Sequence, residues 1–183
     1  MRDLEIRGAG NLLGKAQSGH IAAVGFEMYC KLLKDSVSRL ERKSQDDKIS
    51  VHLVIDFMPL GLDAGNNECA CIPPDYIESE HLRMEFYKKG SSLYQLKQIK
   101  DFELEMRDRF GALPPQLKNY FHYITIKVTA HKAGVYTVKV RDNRLLMEDK
   151  DGFRKINGKI PLLTAISTSA RLKEIVKLVK SSR

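Results

Sequence analysis

Near the start of the chain, the side chains best suited to chemistry are Arg7 and Gln17, in a connector rich in glycine. Gly8, Gly10 and Gly14 lie between them, and glycine lets a backbone take a positive φ or approach a neighbour closely. Arginine offers a rigid fork of donors, and glutamine both donates and accepts. We therefore predict that this pair relays the position of a phosphate or a backbone group.

The same connector contains a near match to a phosphate-binding loop over residues 9–15, which ends in Gly14-Lys15. A nucleotide-binding loop of this type needs a Ser or Thr hydroxyl next, to bind Mg²⁺. Ala16 stands at that position and has no oxygen to offer. We therefore expect no nucleotide site, and no cofactor, in this chain.

The three cysteines are Cys30, Cys69 and Cys71, an odd number that indicates reduced thiols. Cys69 and Cys71 could supply two soft metal ligands, with His81 as the nearest third candidate. A structural zinc site needs four ligands, and no second pair has a fitting spacing. The pattern favours an extended segment with buried thiols, and we predict no metal site.

The sequence shows no catalytic constellation. The histidines are scattered, and no Ser or Cys lies in a nucleophile elbow of the G-x-S-x-G type. His122 and His131 fall nine residues apart on one predicted helix, and we expect both at the surface. A small enzyme would need an acid and base pair that these residues do not form, so we predict that the chain alone is not an enzyme.

Glu105 and Asp108 are the most informative charges. They lie at i and i+3 near the end of a predicted helix, so they share one face. The negative end of the helix dipole disfavours carboxylates there. Either they pair locally with Lys100, Arg107 or Arg109, or a role other than helix stability keeps them in place.

The formal net charge of +8 is concentrated in the last third of the chain. Residues 116–183 carry 15 basic and 5 acidic side chains, whereas the rest of the chain is nearly balanced. Such an excess suits phosphates or an acidic protein surface, and it is also typical of a solvated face. A module that binds nucleic acid through residues 116–183 is therefore an alternative function.

The candidate residues fall in two regions of the chain, which differ in their sequence pattern. Apolar residues recur at helical spacing over residues 21–40, and a polar linker follows over 41–48. We therefore predict a connector and linker helix over residues 1–48, and a second domain over 49–183. That domain begins with a strand over 51–55, predicted to form a hairpin with residues 68–72.

The sequence pattern over the rest of the second domain predicts an α+β fold. Three helices are expected over residues 80–89, 92–110 and 114–134, the second opening with a capping box between Ser92 and Gln95. Leu117, Phe121, Ile124 and Val128 give the third helix an apolar stripe. Strands over 135–140 and 145–148 flank a turn at residues 142–143, and residues 151–152 turn the chain again. A last helix is marked by Leu172, Ile175, Val176 and Val179.

The composition is that of a folded protein without a membrane segment. Apolar residues make up 43% and charged residues 30% of the chain. No apolar run approaches the 18 residues of a membrane span, and the first residues lack the layout of a signal peptide. We therefore expect a cytoplasmic protein that does not bind a membrane.

Residues 4–19 closely resemble the translocation motif that RecG shares with the bacterial transcription-repair coupling factors. Further stretches resemble the C-terminal domain of the same family, and they occur in the same order. They are Ile72–Ile77, Arg83 with Tyr87, and Asp108–Gly111 followed by Pro114. The segment between Asp56 and Cys71 looks longer than the usual link of the family.

For the connector, the resemblance implies part of a larger ATP-driven DNA translocase. Such a parent displaces stalled RNA polymerase and recruits excision repair, and its motor domains bind ATP and Mg²⁺. Arg7 and Gln17 would couple hydrolysis to DNA movement, with Gly8, Gly10 and Gly14 shaping the turn.

For the C-terminal domain, the resemblance implies a regulatory, autoinhibitory role. The domain would dock on the N-terminal UvrB-like module of its own chain and cover the surface that recruits UvrA. Glu105 and Asp108 would form the acidic side of this clamp and meet arginines of the module. The expected partners are thus this module and, for the parent, RNA polymerase, UvrA and double-stranded DNA.

Overall fold

The structure, a computed structural model, describes residues 51–61 and 68–182 of the chain. These residues form four strands and four helices, which confirms the predicted α+β class. The predicted boundary at residues 48 and 49 falls outside these ranges. The elements, in chain order, are β1 (His52–Ile55), α1 (Glu80–Ser91), α2 (Leu96–Phe110), α3 (Pro115–Lys132), β2 (Thr137–Arg141), β3 (Arg144–Asp149), β4 (Gly152–Phe153) and α4 (Thr168–Ser181).

The strands form one mixed sheet in the order β1-β2-β3-β4. β1 pairs with β2 in parallel, and the other two pairings are antiparallel. The predicted hairpin between residues 51–55 and 68–72 is therefore wrong, since residues 68–72 contribute only a single bridge, from Ala70 to Leu60. Parallel neighbours need a long crossover connection, which α1, α2 and α3 supply here.

The turn between β2 and β3 is the predicted one. Asp142 and Asn143 have φ angles of 51° and 63°, the left-handed pair that a tight two-residue hairpin requires. The amide of Asp142 also donates to the carboxylate of Asp56 at 2.9 Å, which ties the hairpin to the end of β1. This turn fixes which side chains of β2 and β3 lie opposite each other.

One face of the sheet is buried and the other is exposed. The buried positions alternate along the strands and join the helices in a single apolar core. They are Leu53, Val138, Val140, Leu145 and Met147, each at most 1% exposed.

α3 lies at the centre of the core. Its predicted stripe of Leu117, Phe121, Ile124 and Val128 is buried as expected, and residues between these positions, such as Ile126, are buried too. α4 packs along α3. Its residues Leu172, Ile175 and Val179 are fully buried, and Val176 packs against the core, which confirms the predicted last helix.

Aromatic rings join the first three helices. Phe86 of α1 stacks on Phe102 of α2 with ring centroids 5.9 Å apart, and Phe102 meets Phe121 of α3 edge to face at 5.4 Å. Tyr87 of α1 contacts Tyr120 of α3 in the same way at 5.4 Å. These contacts bury α1 and α2 against α3 and so set which face of α2 remains in solvent.

The start of α2 differs from the prediction. The hydroxyl of Ser92 donates to the carbonyl of Lys89 at 2.7 Å, so Ser92 closes α1 and does not open the next helix. α2 begins at Leu96, and the side chain of Gln98 accepts from the amide of Gln95 at 3.0 Å. The predicted capping box between Ser92 and Gln95 is therefore wrong. The predicted end of the helix at Phe110 is confirmed.

We expect Gly90→Ala to destabilise the domain. A methyl group at this position of α1 would lie 2.4 Å from Oη of Tyr120 and 3.1 Å from Cδ1 of Ile124. Alanine gains about 1 kcal/mol in helix propensity, whereas overpacking a core costs about 1–3 kcal/mol. Urea denaturation should therefore show a free energy of unfolding lower by up to about 2 kcal/mol.

Removing the Tyr120 hydroxyl tests the cause of this loss. In the double variant Gly90→Ala with Tyr120→Phe, the closest clash is absent. Gly90→Ala should therefore lower the free energy of unfolding less in the Tyr120→Phe background than it does in the wild type. A Gly90→Ala variant as stable as the wild type would contradict the expectation.

Candidate functional site

The residues predicted to act in translocation cannot be placed. Arg7, Gly8, Gly10, Gly14 and Gln17 lie outside the described residues, as does the helix predicted over residues 21–40. Their roles therefore stay predictions.

The described candidates, Glu105 and Asp108, lie in the last turns of α2, as predicted. Ile99, Phe102 and Met106 of this helix are buried and fix its orientation. At about 100° per residue, Asp108 then points away from the core, and Glu105 lies to one side of it.

Glu105 is engaged within the domain. Its carboxylate pairs with the Lys89 ammonium group of α1 and with Arg109 of α2, the latter at 3.5 Å, and 31% of its side chain is exposed. The sequence indicated local pairing with Arg109 as one possibility. It could not indicate Lys89, which belongs to another helix and comes close only through the packing of α1 on α2.

Asp108 is free of such pairing. It is exposed, and within the described part of the chain its carboxylate makes no ion pair or hydrogen bond. Leu104, one turn before it, is 52% exposed, and Asp101 lies a further turn back. We call Asp101, Leu104 and Asp108 the α2 outer face. It presents an apolar side chain between two carboxylates.

The two cysteines of the C-terminal domain are buried, as predicted, with their sulfurs 3.5 Å apart. Burial raises the pKa of the Cys71 thiol, and the nearby Cys69 raises it further. Protonated thiols are weak nucleophiles and poor metal ligands. Within residues 51–61 and 68–182, no cluster of three or more His, Cys, Asp or Glu side chains could hold a metal ion.

His131 is exposed as predicted, whereas His122 is only partly exposed. His122 is half-buried on α3. Burial lowers its pKa, and the charge of Lys173 on α4 lowers it further, against a smaller opposing effect of Glu103. The ring is therefore mostly neutral at pH 7.

The basic residues after residue 116 do not gather on one element. Lys173, Lys177 and Lys180 are exposed on α4, which packs along α3. A second group, formed by Lys139, Arg141 and Arg144, lies on the exposed face of the sheet. The excess of positive charge therefore divides between the helical layer and the open sheet face.

Comparison with known proteins agrees with this architecture. Residues 67–155 match the TRCF domain family. The transcription-repair-coupling factor of Buchnera aphidicola subsp. Acyrthosiphon pisum (strain APS) is 34% identical over 188 residues, covering 97% of this chain and 22% of the relative. That of Staphylococcus epidermidis (strain ATCC 12228 / FDA PCI 1200) is 38% identical over 143 residues, covering 76% of this chain and 11% of the relative. The chain thus spans less than a quarter of these relatives.

A solved structure shares the fold. The crystal structure of the C-terminal domain of transcription-repair coupling factor superposes with a TM-score of 0.51 at 18% identity. The match covers 76% of this chain and 99% of the solved one.

We expect Glu105 and Asp108 of α2 to affect stability differently. Glu105→Ala removes the pairing with Lys89 and Arg109. Because surface ion pairs contribute up to about 1 kcal/mol, the free energy of unfolding should fall by up to that amount. Asp108→Ala removes a negative charge from the negative end of a helix dipole, so stability should stay constant or rise by a few tenths of a kcal/mol. Urea denaturation measures both. A loss above about 1 kcal/mol in Asp108→Ala would show that Asp108 supports the fold.

Proposed function

The chain belongs to the transcription-repair coupling factor family and carries its C-terminal TRCF domain, and from this premise we propose that the domain is a regulatory docking module. It docks through α2 on the UvrB-like module of its own parent protein. In doing so it covers the surface that recruits UvrA. The observation that carries this proposal is the α2 outer face, where the unpaired carboxylate of Asp108 lies next to the exposed Leu104.

In this proposal, Asp108 makes the main electrostatic contact with the UvrB-like module. Because its carboxylate has no partner in the described part of the chain, it can pair with an arginine of the module without breaking an existing interaction. Glu105 has to exchange or share its contacts with Lys89 and Arg109. A charge pair desolvated on docking contributes most when both groups gain a partner. We therefore assign Glu105 the smaller contribution.

Leu104 supplies the apolar part of the contact. Interfaces commonly place an apolar anchor at the centre and polar groups around it. Leu104 is flanked by Asp101 on one side and Asp108 on the other, one helical turn away in each direction. This arrangement suits a partner surface with an apolar pocket bordered by arginines.

The parent protein, in this proposal, is an ATP-driven DNA translocase. Its motor domains bind ATP and Mg²⁺, and its partners are RNA polymerase, UvrA and double-stranded DNA. The chain itself acts by docking and has no catalytic activity. This assignment rests on the family and on the translocation motif at residues 4–19.

The docking contact predicts a specific loss of affinity. Calorimetric titration of the chain with the isolated UvrB-like module of the parent should give a dissociation constant that Asp108→Ala raises at least tenfold, about 1.4 kcal/mol. Glu105→Ala should raise it less. Asp151→Ala, which removes an exposed carboxylate in the turn before β4, is the matched control and should bind like the wild type.

Two outcomes would contradict the docking proposal. The first is an affinity for the module that Asp108→Ala leaves unchanged. The second is no binding to the module, together with binding to duplex DNA that falls steeply as salt rises, since counterion release makes nucleic-acid binding salt-dependent. The second outcome would favour the nucleic-acid-binding alternative.

For the connector we propose that Arg7 and Gln17 couple ATP hydrolysis to DNA movement, with Gly8, Gly10 and Gly14 shaping the turn between them. In the full parent, Arg7→Ala and Gln17→Ala should each retain ATP hydrolysis and displace stalled RNA polymerase at least tenfold more slowly. Lys15→Ala, a change of charge in the same connector, is the control and should displace polymerase normally. Displacement at the wild-type rate by both variants would contradict the assignment.

A further inference from the structure

The face of the sheet turned away from the core is open to solvent. Side chains alternate along each strand, so the neighbours of the buried Val138 and Val140 on β2 point outward, as do those of Leu145 and Met147 on β3. None of these outward residues belongs to α2. The surface is therefore separate from the one proposed for docking on the UvrB-like module.

Three apolar side chains form a row along this face. Phe153 is 61% exposed and lies opposite Glu148 of β3, and Leu162 is 58% exposed and lies opposite Arg144 at the other end of the same strand. Leu146, half-buried, lies between them on β3. The two ends lie four positions apart along β3, so the row is about 13 Å long. We call Phe153, Leu146 and Leu162 the apolar row.

A cationic flank runs beside the apolar row on β2. Lys139 lies opposite Leu146, and Arg141 lies directly opposite Arg144. Like charges at opposed positions of two strands destabilise a sheet. The side chain of Arg141 is 74% exposed, and its carboxylate neighbour Asp142, 3.8 Å away, is 88% exposed. These arginines therefore add little to the fold and are available to a ligand.

We propose that this open face binds an acidic amphipathic α-helix of a protein partner. A helix with apolar residues at i, i+4 and i+8 spaces them over about 12 Å, which matches the apolar row. Carboxylates along one side of that helix would then meet the cationic flank of Lys139, Arg141 and Arg144. Glu148, at the Phe153 end, repels carboxylates, so the acidic end of the helix lies toward Leu162.

The composition of the row favours a protein over a nucleic acid. Single-stranded nucleic acids bind through aromatic rings on which successive bases stack. In the apolar row only Phe153 has a ring, whereas Leu146 and Leu162 are aliphatic. An amphipathic helix binds by laying its apolar face against apolar side chains of its partner, a contact that Leu146 and Leu162 suit.

A peptide titration followed by NMR tests this proposal. The ¹⁵N-labelled chain is titrated with a designed 20-residue peptide that carries leucines at i, i+4 and i+8 and glutamates along one flank. A twin with lysines in place of the glutamates, and a scrambled peptide of the same composition, are the ligand controls. The acidic peptide should shift the amides of β2, β3 and residues 161–163, with a dissociation constant at least tenfold lower than that of either control.

Surface variants locate the contact. Arg141→Glu with Arg144→Glu should weaken binding of the acidic peptide at least tenfold, and so should Leu162→Ser. Lys88→Glu with Lys118→Glu makes the same change of charge at exposed helical positions and should bind normally. Asp108→Ala should also bind normally, which separates this proposal from that for α2. Exposed substitutions of this kind change stability little.

Several results would overturn the proposal. No shift with the acidic peptide would do so, as would equal binding of the scrambled peptide or unchanged binding by the Arg141 and Arg144 variant. Duplex or single-stranded DNA that shifts the same amides at lower concentration would assign the face to nucleic acid. Peptide binding that appears only after Met28→Glu with Leu32→Glu would assign it to the chain's own residues 21–40.

Discussion

The burial of α3 on nearly all sides is the constraint on which the described structure depends. Leu117, Ile126, Val128 and Ala130 are each fully buried, although they point in different directions around the helix axis. A helix that is apolar all round has to be enclosed by other elements. α1 and α2 pack on it through aromatic rings, and α4 lies along it.

The first turns of α3 also hold the segment that follows β1. The amide of Cys71 donates to the carbonyl of Gln116 at 3.3 Å, and the buried Asn119 side chain donates to the carbonyls of Glu68 and Cys69 at 3.3 and 3.2 Å. A buried amide left without these acceptors would cost about 1–3 kcal/mol. With α3 enclosed in this way, the outward side of α2 and the open face of the sheet are among the surfaces that remain exposed to partners.

The sequence was sufficient for features set by neighbouring residues. The stripe of α3, the turn at Asp142 and Asn143 and the end of α2 at Phe110 follow from local periodicity and turn chemistry, and all three were predicted correctly. The parallel pairing of β1 with β2 joins residues more than eighty positions apart, and no local pattern specifies it. The Lys89 contact of Glu105 was missed for the same reason. Ser92 was misassigned because a serine between two helices can cap the end of one or the start of the other.

Both candidate surfaces share one physical property, which is charge placed where the isolated domain gains no stability from it. Asp108 lies at the negative end of a helix dipole without a partner in the described part of the chain, and Arg141 faces Arg144 across two strands. Arg141 also contacts Asp142, but that pair is 3.8 Å long and highly exposed, whereas Glu105 and Arg154 pair with opposite charges at less exposed positions. A charge in a less exposed pair must give up a contact before it binds a partner, whereas an unpaired charge, or one in a highly exposed pair, gives up little. In this domain, therefore, the charges that contribute least to folding are the ones best placed to contribute to binding.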